Sequence, residues 1–125
     1  MEKKKILIVE DDIFIRDIYK VRFEQEGFEV VAAENGIVGL EKLQQGVNPE
    51  IILLDIVMPG LDGISVLKKL KANDQWKDIP VIMLTNISER EKVNESIELG
   101  IKDYLIKSHF TPSEVVQKVN SLLNA

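Results

Sequence analysis

The chain has 125 residues, 45% hydrophobic and 30% charged, a composition typical of one globular domain. Its net charge of −5 argues against a nucleic-acid-binding surface, and the lack of cysteine excludes disulfides and thiolate metal sites. Because the longest aliphatic runs have only four residues, we expect no membrane span and a cytoplasmic protein.

The chain opens with an apolar run, Ile6–Val9, which has the pattern of a strand buried on both faces. Three acids, Glu10, Asp11 and Asp12, end this run and should emerge at the carboxyl edge of the sheet. Asp12 is the expected N-cap of the following helix.

Phe14, Ile18 and Val21 recur at the spacing i, i+4, i+7, which predicts the apolar face of an amphipathic first helix. Gly27 stands where a helix commonly ends. A second strand is predicted at Glu29–Ala33.

A short second helix is predicted between the cap Asn35 and Gly46, with Leu40 and Leu43 facing inward. The apolar run Ile51–Leu54 then predicts a central strand buried on both faces.

Asp55 directly follows this central strand, at the edge where parallel sheets collect ligands. The turn residues of 59–63 cannot continue the strand. Ile64, Leu67 and Leu70 mark the buried side of a third helix.

The fourth strand is predicted at Pro80–Leu84 and ends at Thr85. Residues 88–91, Ser-Glu-Arg-Glu, fit a capping box that would begin a fourth helix, and Gly100 would end it.

A fifth strand is predicted at Asp103–Ile106, with Lys107 at its end. Residues 111–114, Thr-Pro-Ser-Glu, combine a capping box with proline at the first helical position. The last helix has an apolar stripe formed by Val115, Val116, Val119, Leu122 and Leu123.

Five strands alternating with five helices predict an α/β fold with a doubly wound, five-stranded parallel sheet and helices on both faces. The expected strand order is the flavodoxin-like 2-1-3-4-5. We expect residues 1–125 to form a single domain, with a core of about residues 4–123.

In this strand order the first and third strands are neighbours, so Asp11 and Asp55 should face each other across the edge of the sheet. Three carboxylates so close, those of Glu10, Asp11 and Asp55, repel one another unless a cation joins them. All-oxygen ligands favour a hard divalent ion, and we expect Mg²⁺.

Together, Mg²⁺ and Lys107 would balance the three negative charges, and the neutral crevice could accept a dianionic phosphoryl group. Asp55 is placed to act as the nucleophile and to form an acyl phosphate. Thr85 would hydrogen-bond a phosphoryl oxygen, and Lys107 would neutralise its charge.

The sequence resembles the receiver domains of two-component response regulators over about residues 4–123. The resemblance rests on four motifs: Val-Glu-Asp-Asp at 9–12, Leu-Asp-Ile-Val-Met-Pro-Gly-Leu-Asp-Gly at 54–63, Leu-Thr-Asn at 84–86 and Asp-Tyr-Leu-Ile-Lys at 103–107.

The resemblance implies that Asp55 receives a phosphoryl group from a sensor histidine kinase or a histidine phosphotransfer protein. It also implies that Asp11 ligates Mg²⁺ directly, that Glu10 acts through water and that Val57 contributes its backbone carbonyl. Beyond self-phosphorylation and autodephosphorylation, no enzyme activity is expected.

By the same resemblance, Thr85 moves toward the phosphoryl group and the Tyr104 ring changes rotamer with it. The changed surface, formed by the fourth helix, fifth strand and fifth helix, would bind a downstream protein or a second copy of the chain. With no residues left for a DNA-binding effector, we expect a stand-alone signalling protein, although a domain cut from a longer regulator would look the same.

Three positions depart from the commonest family pattern. Ser108 stands where proline usually follows the lysine, and we expect a trans bond before it because a cis bond to serine costs about 2.5–4 kcal/mol. Asn86 replaces a small residue, and Val57 offers no polar side chain to the water that hydrolyses an acyl phosphate.

Other functions fit the sequence less well. A phosphohydrolase of the haloacid-dehalogenase type would carry an acid at Val57 and its nucleophile on the first strand. A dinucleotide-binding protein would carry a Gly-x-Gly-x-x-Gly motif, which is absent. A receiver-like binding module that works without phosphorylation stays open because of Ser108 and Asn86.

Overall fold

The computed structural model describes residues 3–124, apart from the side chains of Ile87 and Arg90. The single domain predicted for residues 1–125 therefore extends beyond the described residues at both ends. Five strands alternate with five α-helices, as predicted. The strands are β1 (Lys5–Val9), β2 (Glu29–Ala33), β3 (Ile51–Asp55), β4 (Val81–Thr85) and β5 (Asp103–Ile106).

The helices follow the strands one for one, and short 3₁₀ turns precede two of them, at Ile87–Glu89 and Lys107–His109. The α-helices are α1 (Ile13–Gln25), α2 (Gly36–Gln44), α3 (Gly63–Lys71), α4 (Arg90–Leu99) and α5 (Pro112–Leu123). Within residues 3–124, no helix is both long and apolar enough to cross a bilayer.

All neighbouring strands are parallel, and their order is β2-β1-β3-β4-β5. This confirms the predicted doubly wound α/β architecture. Because strand residues alternate between the two faces of the sheet, each strand contributes to two separate hydrophobic cores.

One core lies under α1 and α5, and we call it the α1/α5 core. Its buried members are Ile6, Ile8, Tyr19, Phe23, Phe28, Ile51, Leu53, Ile82, Leu84, Leu105, Val115, Val116 and Val119. The other core lies on the opposite face of the sheet and is covered by α2, α3 and α4.

The apolar face of α1 predicted from Phe14, Ile18 and Val21 was assigned to the wrong side. These side chains are 77%, 51% and 53% exposed, whereas Tyr19 and Phe23 are buried against the sheet. Helix α1 carries apolar residues on two sides, so periodicity alone could not choose the buried one.

The predicted capping box at residues 88–91 is also wrong. Ser88 lies inside the 3₁₀ turn Ile87–Glu89, and α4 begins later, at Arg90. Its N-cap, Glu89, makes no side-chain capping hydrogen bond. Ser88 and Glu89, which the sequence pattern assigned to the start of the helix, lie instead in the 3₁₀ turn after β4.

The other predicted caps are confirmed. Asn35 caps α2 through a 2.8 Å bond from the Val38 backbone N–H. Thr111 and Glu114 form a complete capping box at α5, and the backbone bond from Thr111 lowers the pKa of Glu114. The side chain of Asp12 accepts bonds from the backbone N–H groups of Phe14 and Ile15, so it caps α1.

We predict that Asp12→Ala lowers the free energy of unfolding by about 1 kcal/mol, because it removes the cap of α1. Asp12→Asn keeps a capping oxygen and should lose much less. Urea unfolding followed by circular dichroism measures both variants. If the two variants were equally destabilised, the charge of Asp12 and not its cap would account for the loss.

Candidate functional site

The carboxyl ends of β1, β3 and β5 bring together Glu10, Asp55 and Lys107 at one edge of the sheet. Glu10 is 0% exposed and Asp55 5% exposed, so two carboxylates are buried here. Asp55 pairs with Leu84 in the sheet register, so its side chain lies on the face that carries the α1/α5 core.

Lys107 holds the two buried carboxylates together. Its Nζ donates to Glu10 Oε1 at 2.7 Å and to Asp55 Oδ2 at 3.0 Å. The other oxygen of the Glu10 carboxylate accepts a bond from the Asp11 backbone N–H at 3.1 Å. Each buried acid is therefore hydrogen-bonded, which is the condition under which such groups are tolerated in a protein interior.

Glu10, Asp11 and Asp55 can each offer one carboxylate oxygen to a common point, because these oxygens lie within 4.8 Å of one another. Asp11 is exposed, so the group opens to solvent. An all-oxygen, acidic ligand set of this size fits a hard divalent cation. The structure thus brings together the three acids that the sequence analysis singled out.

The charge state of the site follows from burial and from the neighbouring charges. Burial, together with the hydrogen bond and charge of Glu10, raises the pKa of Asp55 to about 8, although Lys107 acts in the opposite direction. Burial alone would lower the pKa of Lys107, but its bond to Glu10 and the charge of Asp55 raise it. Lys107 is therefore an ammonium ion, and Asp55 stays largely protonated below about pH 8 unless a further positive charge supports its ionised form.

The loop between β3 and α3 passes very close to Asp55. The Gly63 backbone N–H donates to the Ile56 carbonyl at 2.8 Å, and a Cβ at position 63 would overlap the Asp55 carbonyl oxygen. This close approach explains the glycine of the Asp-Gly turn. Val57, two residues after Asp55, is 40% exposed.

Thr85 and Tyr104 do not face Asp55 in this structure. Thr85 is one residue beyond Leu84, so its side chain lies on the opposite face of the sheet, and its hydroxyl donates to the Asn86 carbonyl at 2.9 Å. Tyr104 is 40% exposed and pairs with Met83 on that same face.

Arg16 also contacts the site, although no motif in the sequence indicates it. Its guanidinium donates to the Glu10 carbonyl at 2.9 Å and to the Asp11 carbonyl at 3.4 Å, so it supports the acidic turn from the first helix. An arginine among charged helix residues carries no motif, and no sequence signal distinguishes it from a solvated one. The Lys107–Ser108 bond is trans, as predicted.

Comparison with known proteins places this geometry in a family. The protein-family model that describes the response regulator receiver domain matches residues 6–120 of this chain. The chain belongs to the response regulator receiver family. A receiver domain is a signalling domain and not a member of a catalytic enzyme family, and it interacts with histidine kinases or phosphotransfer proteins.

Curated relatives of this receiver domain include transcriptional regulators. It is 38% identical to the phosphate regulon transcriptional regulatory protein PhoB of Escherichia coli, over 96% of the chain and 52% of PhoB. It is 39% identical to the transcriptional regulatory protein ResD of Bacillus subtilis, over 95% of the chain and 48% of ResD. The chain spans about half the length of the curated relatives it matches.

Solved receiver structures have the same fold over nearly their whole length. The chemotaxis protein CheY4 of Vibrio cholerae superposes with a TM-score of 0.88 at 29% identity, covering 97% of this chain and 99% of CheY4. A CheY-like receiver protein from Methanospirillum hungatei gives 0.89 at 30% identity, covering 98% of this chain and 95% of that one.

We predict that the contribution of Asp55 to the stability of this receiver domain falls as pH rises from about 4 to 8 in metal-free buffer. Asp55 has a pKa near 3.8 when unfolded and about 8 when folded, so the folded state binds the extra proton and loses that advantage as the proton leaves. Asp55→Asn removes the titration and should be more stable at pH 8 by about 1–3 kcal/mol.

Urea unfolding with EDTA at several pH values measures this difference. Asp74→Asn is the matched control, because Asp74 is an acid with a side chain 96% exposed, in the loop that enters β4 at the end opposite to Thr85. The prediction fails if the stability of Asp55→Asn has the same pH dependence as that of the wild type between pH 4 and 8.

Proposed function

We propose that Asp55 accepts a phosphoryl group from a histidine kinase or a histidine phosphotransfer protein in a Mg²⁺-dependent reaction. The observation that carries this proposal is the ammonium of Lys107 bound between Glu10 and Asp55, with Asp11 at the same edge. The Asp55 carboxylate is buried beside the Lys107 ammonium and beside Glu10 and Asp11, which can bind a cation. Positive charge on both sides suits this site to receive a dianionic phosphoryl group.

The residues that would hold Mg²⁺ are Glu10, Asp11 and Asp55, with the backbone carbonyl of Val57 as a further ligand by family resemblance. When bound, the ion supplies positive charge that favours the ionised form of Asp55 and neutralises oxygens of the incoming group. Asp11 is exposed, which agrees with direct binding of Mg²⁺ by its carboxylate. Glu10 is buried, which agrees with binding of Mg²⁺ through a water molecule.

In the transfer step, an oxygen of the Asp55 carboxylate attacks phosphorus. The bond between phosphorus and the imidazole nitrogen breaks, and its electron pair stays on the imidazole, which takes up a proton. The Lys107 ammonium has three donors and uses two of them on Glu10 and Asp55, so the third can bind a phosphoryl oxygen. The product is an acyl phosphate, which water later hydrolyses in an autodephosphorylation step.

A protein is the phosphodonor that best suits the rim of this site. Ile13 and Phe14, in the first turn of α1, are 54% and 77% exposed, and Val57 is 40% exposed. Exposed apolar residues beside a charged crevice favour contact with another protein surface. Because histidine kinases and phosphotransfer proteins act on receivers inside the cell, we propose a cytoplasmic location. We also propose that residues 1–125 form a single receiver domain.

We further propose that phosphorylation biases a two-state switch. Thr85 would turn its hydroxyl away from the Asn86 carbonyl and toward the phosphoryl group, and Tyr104 would leave its exposed position. The surface of α4, β5 and α5 would then change, and a downstream protein or a second copy of the chain would bind it. Helix α4 suits this role because its N-terminus lacks a side-chain cap.

We predict a single phosphoryl adduct by intact mass after incubation with phosphoramidate and Mg²⁺. The adduct should be absent from Asp55→Asn and from wild type in EDTA. Asp62→Asn, a change in the N-cap of α3, is the matched control and should still form it. If wild type bound Mg²⁺ but formed no adduct, transfer would be blocked near Asn86 or Ser108; if neither occurred, a module that works without phosphorylation would replace this proposal.

We predict that beryllofluoride with Mg²⁺ slows amide hydrogen exchange in α4, β5 and α5 of the wild type. Asp55→Asn should show no such response, because it lacks the carboxylate on which beryllofluoride assembles. Analytical ultracentrifugation of the same samples reports whether two copies pair. Unchanged exchange and unchanged mass in the wild type, with ligand binding confirmed, would refute the switch.

A further inference from the structure

One residue of α1, Arg16, donates hydrogen bonds to three successive carbonyls of the acidic segment after β1. Its backbone N–H donates to the Asp12 carbonyl at 2.9 Å, which is the ordinary bond of a first helical turn. Its guanidinium Nη1 reaches further back, to the Glu10 carbonyl at 2.9 Å and the Asp11 carbonyl at 3.4 Å. Arg16 therefore holds the backbone of both acids that emerge from β1 at the edge of the sheet.

The Glu10 carbonyl needs a donor from outside the sheet. The β1–β3 register ends at the pair Val9 and Leu54. The Glu10 backbone N–H still donates to the Ala33 carbonyl of β2 at 3.1 Å, whereas the Glu10 carbonyl accepts its bond from Arg16. Glu10 is fully buried, and a buried carbonyl without a partner is costly. Loss of the Arg16 guanidinium would therefore disturb this segment.

Asp11 depends on this support more than Glu10 does. The Glu10 carboxylate is bound by Lys107 at 2.7 Å and by the Asp11 backbone N–H at 3.1 Å. Asp11 is exposed, and within residues 3–124 its hydrogen bonds are all made by its backbone. The position of its carboxylate, the proposed direct ligand of Mg²⁺, thus follows from the position of its backbone.

We propose that Arg16 is a positioning residue for the Mg²⁺ ligands: it fixes the backbone of Glu10 and Asp11 so that the Asp11 carboxylate stays close to Glu10 and Asp55 before the ion binds. The proposal rests on the proposed function of this site. The carboxylate oxygens of the three acids lie within 4.8 Å of one another, and ionised carboxylates this close repel. A fixed backbone keeps the exposed acid in place and reduces the cost of ordering it when the ion binds.

The positive charge of Arg16 acts on Mg²⁺ in the opposite direction to its hydrogen bonds. A guanidinium bound to the acidic segment repels a divalent cation, so the loss of its charge alone would strengthen the binding of Mg²⁺. The loss of its hydrogen bonds frees the backbone of Asp11 and weakens that binding. The direction of the change in affinity therefore distinguishes positioning from a simple effect of charge.

The test is a titration of the metal-free protein with MgCl₂, followed by the shifts of its backbone amides in ¹⁵N NMR. Arg16→Gln should raise the Kd for Mg²⁺ about 10-fold, as expected when a group that holds a metal ligand in place is lost. Arg22→Gln is the matched control, because it removes the same charge from the exposed last turn of the same helix, and its Kd should not change. A Kd equal to or below that of the wild type in Arg16→Gln would overturn the proposal.

Arg16→Lys takes the place of Arg16→Gln if the latter does not fold. Lysine keeps the charge, but its ammonium stands one bond nearer to the backbone and lacks the planar guanidinium, so it should not hold both carbonyls. The Kd for Mg²⁺ should therefore still rise. A Kd equal to that of the wild type would show that the charge of Arg16 suffices and would overturn the proposal.

A second readout needs neither Mg²⁺ nor a phosphodonor. In EDTA, Arg16→Gln should speed hydrogen exchange of the Asp11 amide about 3- to 10-fold, because the segment opens more often, and should leave the Ile8 amide of β1 unchanged. An unchanged Asp11 rate, or an equal rise at Ile8, would overturn the proposal. If the wild type bound no Mg²⁺, the proposed function would fail, and this readout would still decide whether Arg16 fixes the acidic segment.

Discussion

The burial of negative charge at the carboxyl edge of the sheet is the constraint on which the rest of this structure depends. Glu10 and Asp55 are removed from water by the strands that carry them, and the Lys107 ammonium hydrogen-bonds both carboxyl groups. These contacts hold only while β1, β3 and β5 remain in register, because the three residues are far apart in the chain. The electrostatic balance of the site therefore depends on the strand order and register of the sheet.

The residues of the site lie on two different faces of the sheet. Asp55, Glu10 and Lys107 belong to the face under α1 and α5, and Thr85 and Tyr104 belong to the face under α3 and α4. The groups that bind charge and the groups proposed to move are thus separated by the thickness of the sheet. They are neighbours only at its edge, where β3 and β4 end at Asp55 and Thr85.

The architecture and the acidic cluster could be predicted from the sequence because both depend on local patterns. Buried strands such as Ile51–Leu54 are continuous apolar runs, and the residue after such a run must lie at the edge of a parallel sheet. The buried side of α1, the start of α4 and the support from Arg16 could not be predicted. Each depends on which neighbouring surface a side chain meets, and periodicity does not encode that choice.

Helix α1 shows what that choice involves. Tyr19 and Phe23 are buried on one side of this helix, and the cap at Asp12 and the bonds from Arg16 to the Glu10 and Asp11 carbonyls tie its first turn to the acidic segment after β1. Each helical residue advances the rotational phase by about 100°. One residue inserted between Asp12 and Arg16 would therefore put these polar contacts and the buried aromatic side out of phase, so the length of this short segment matches the one to the other.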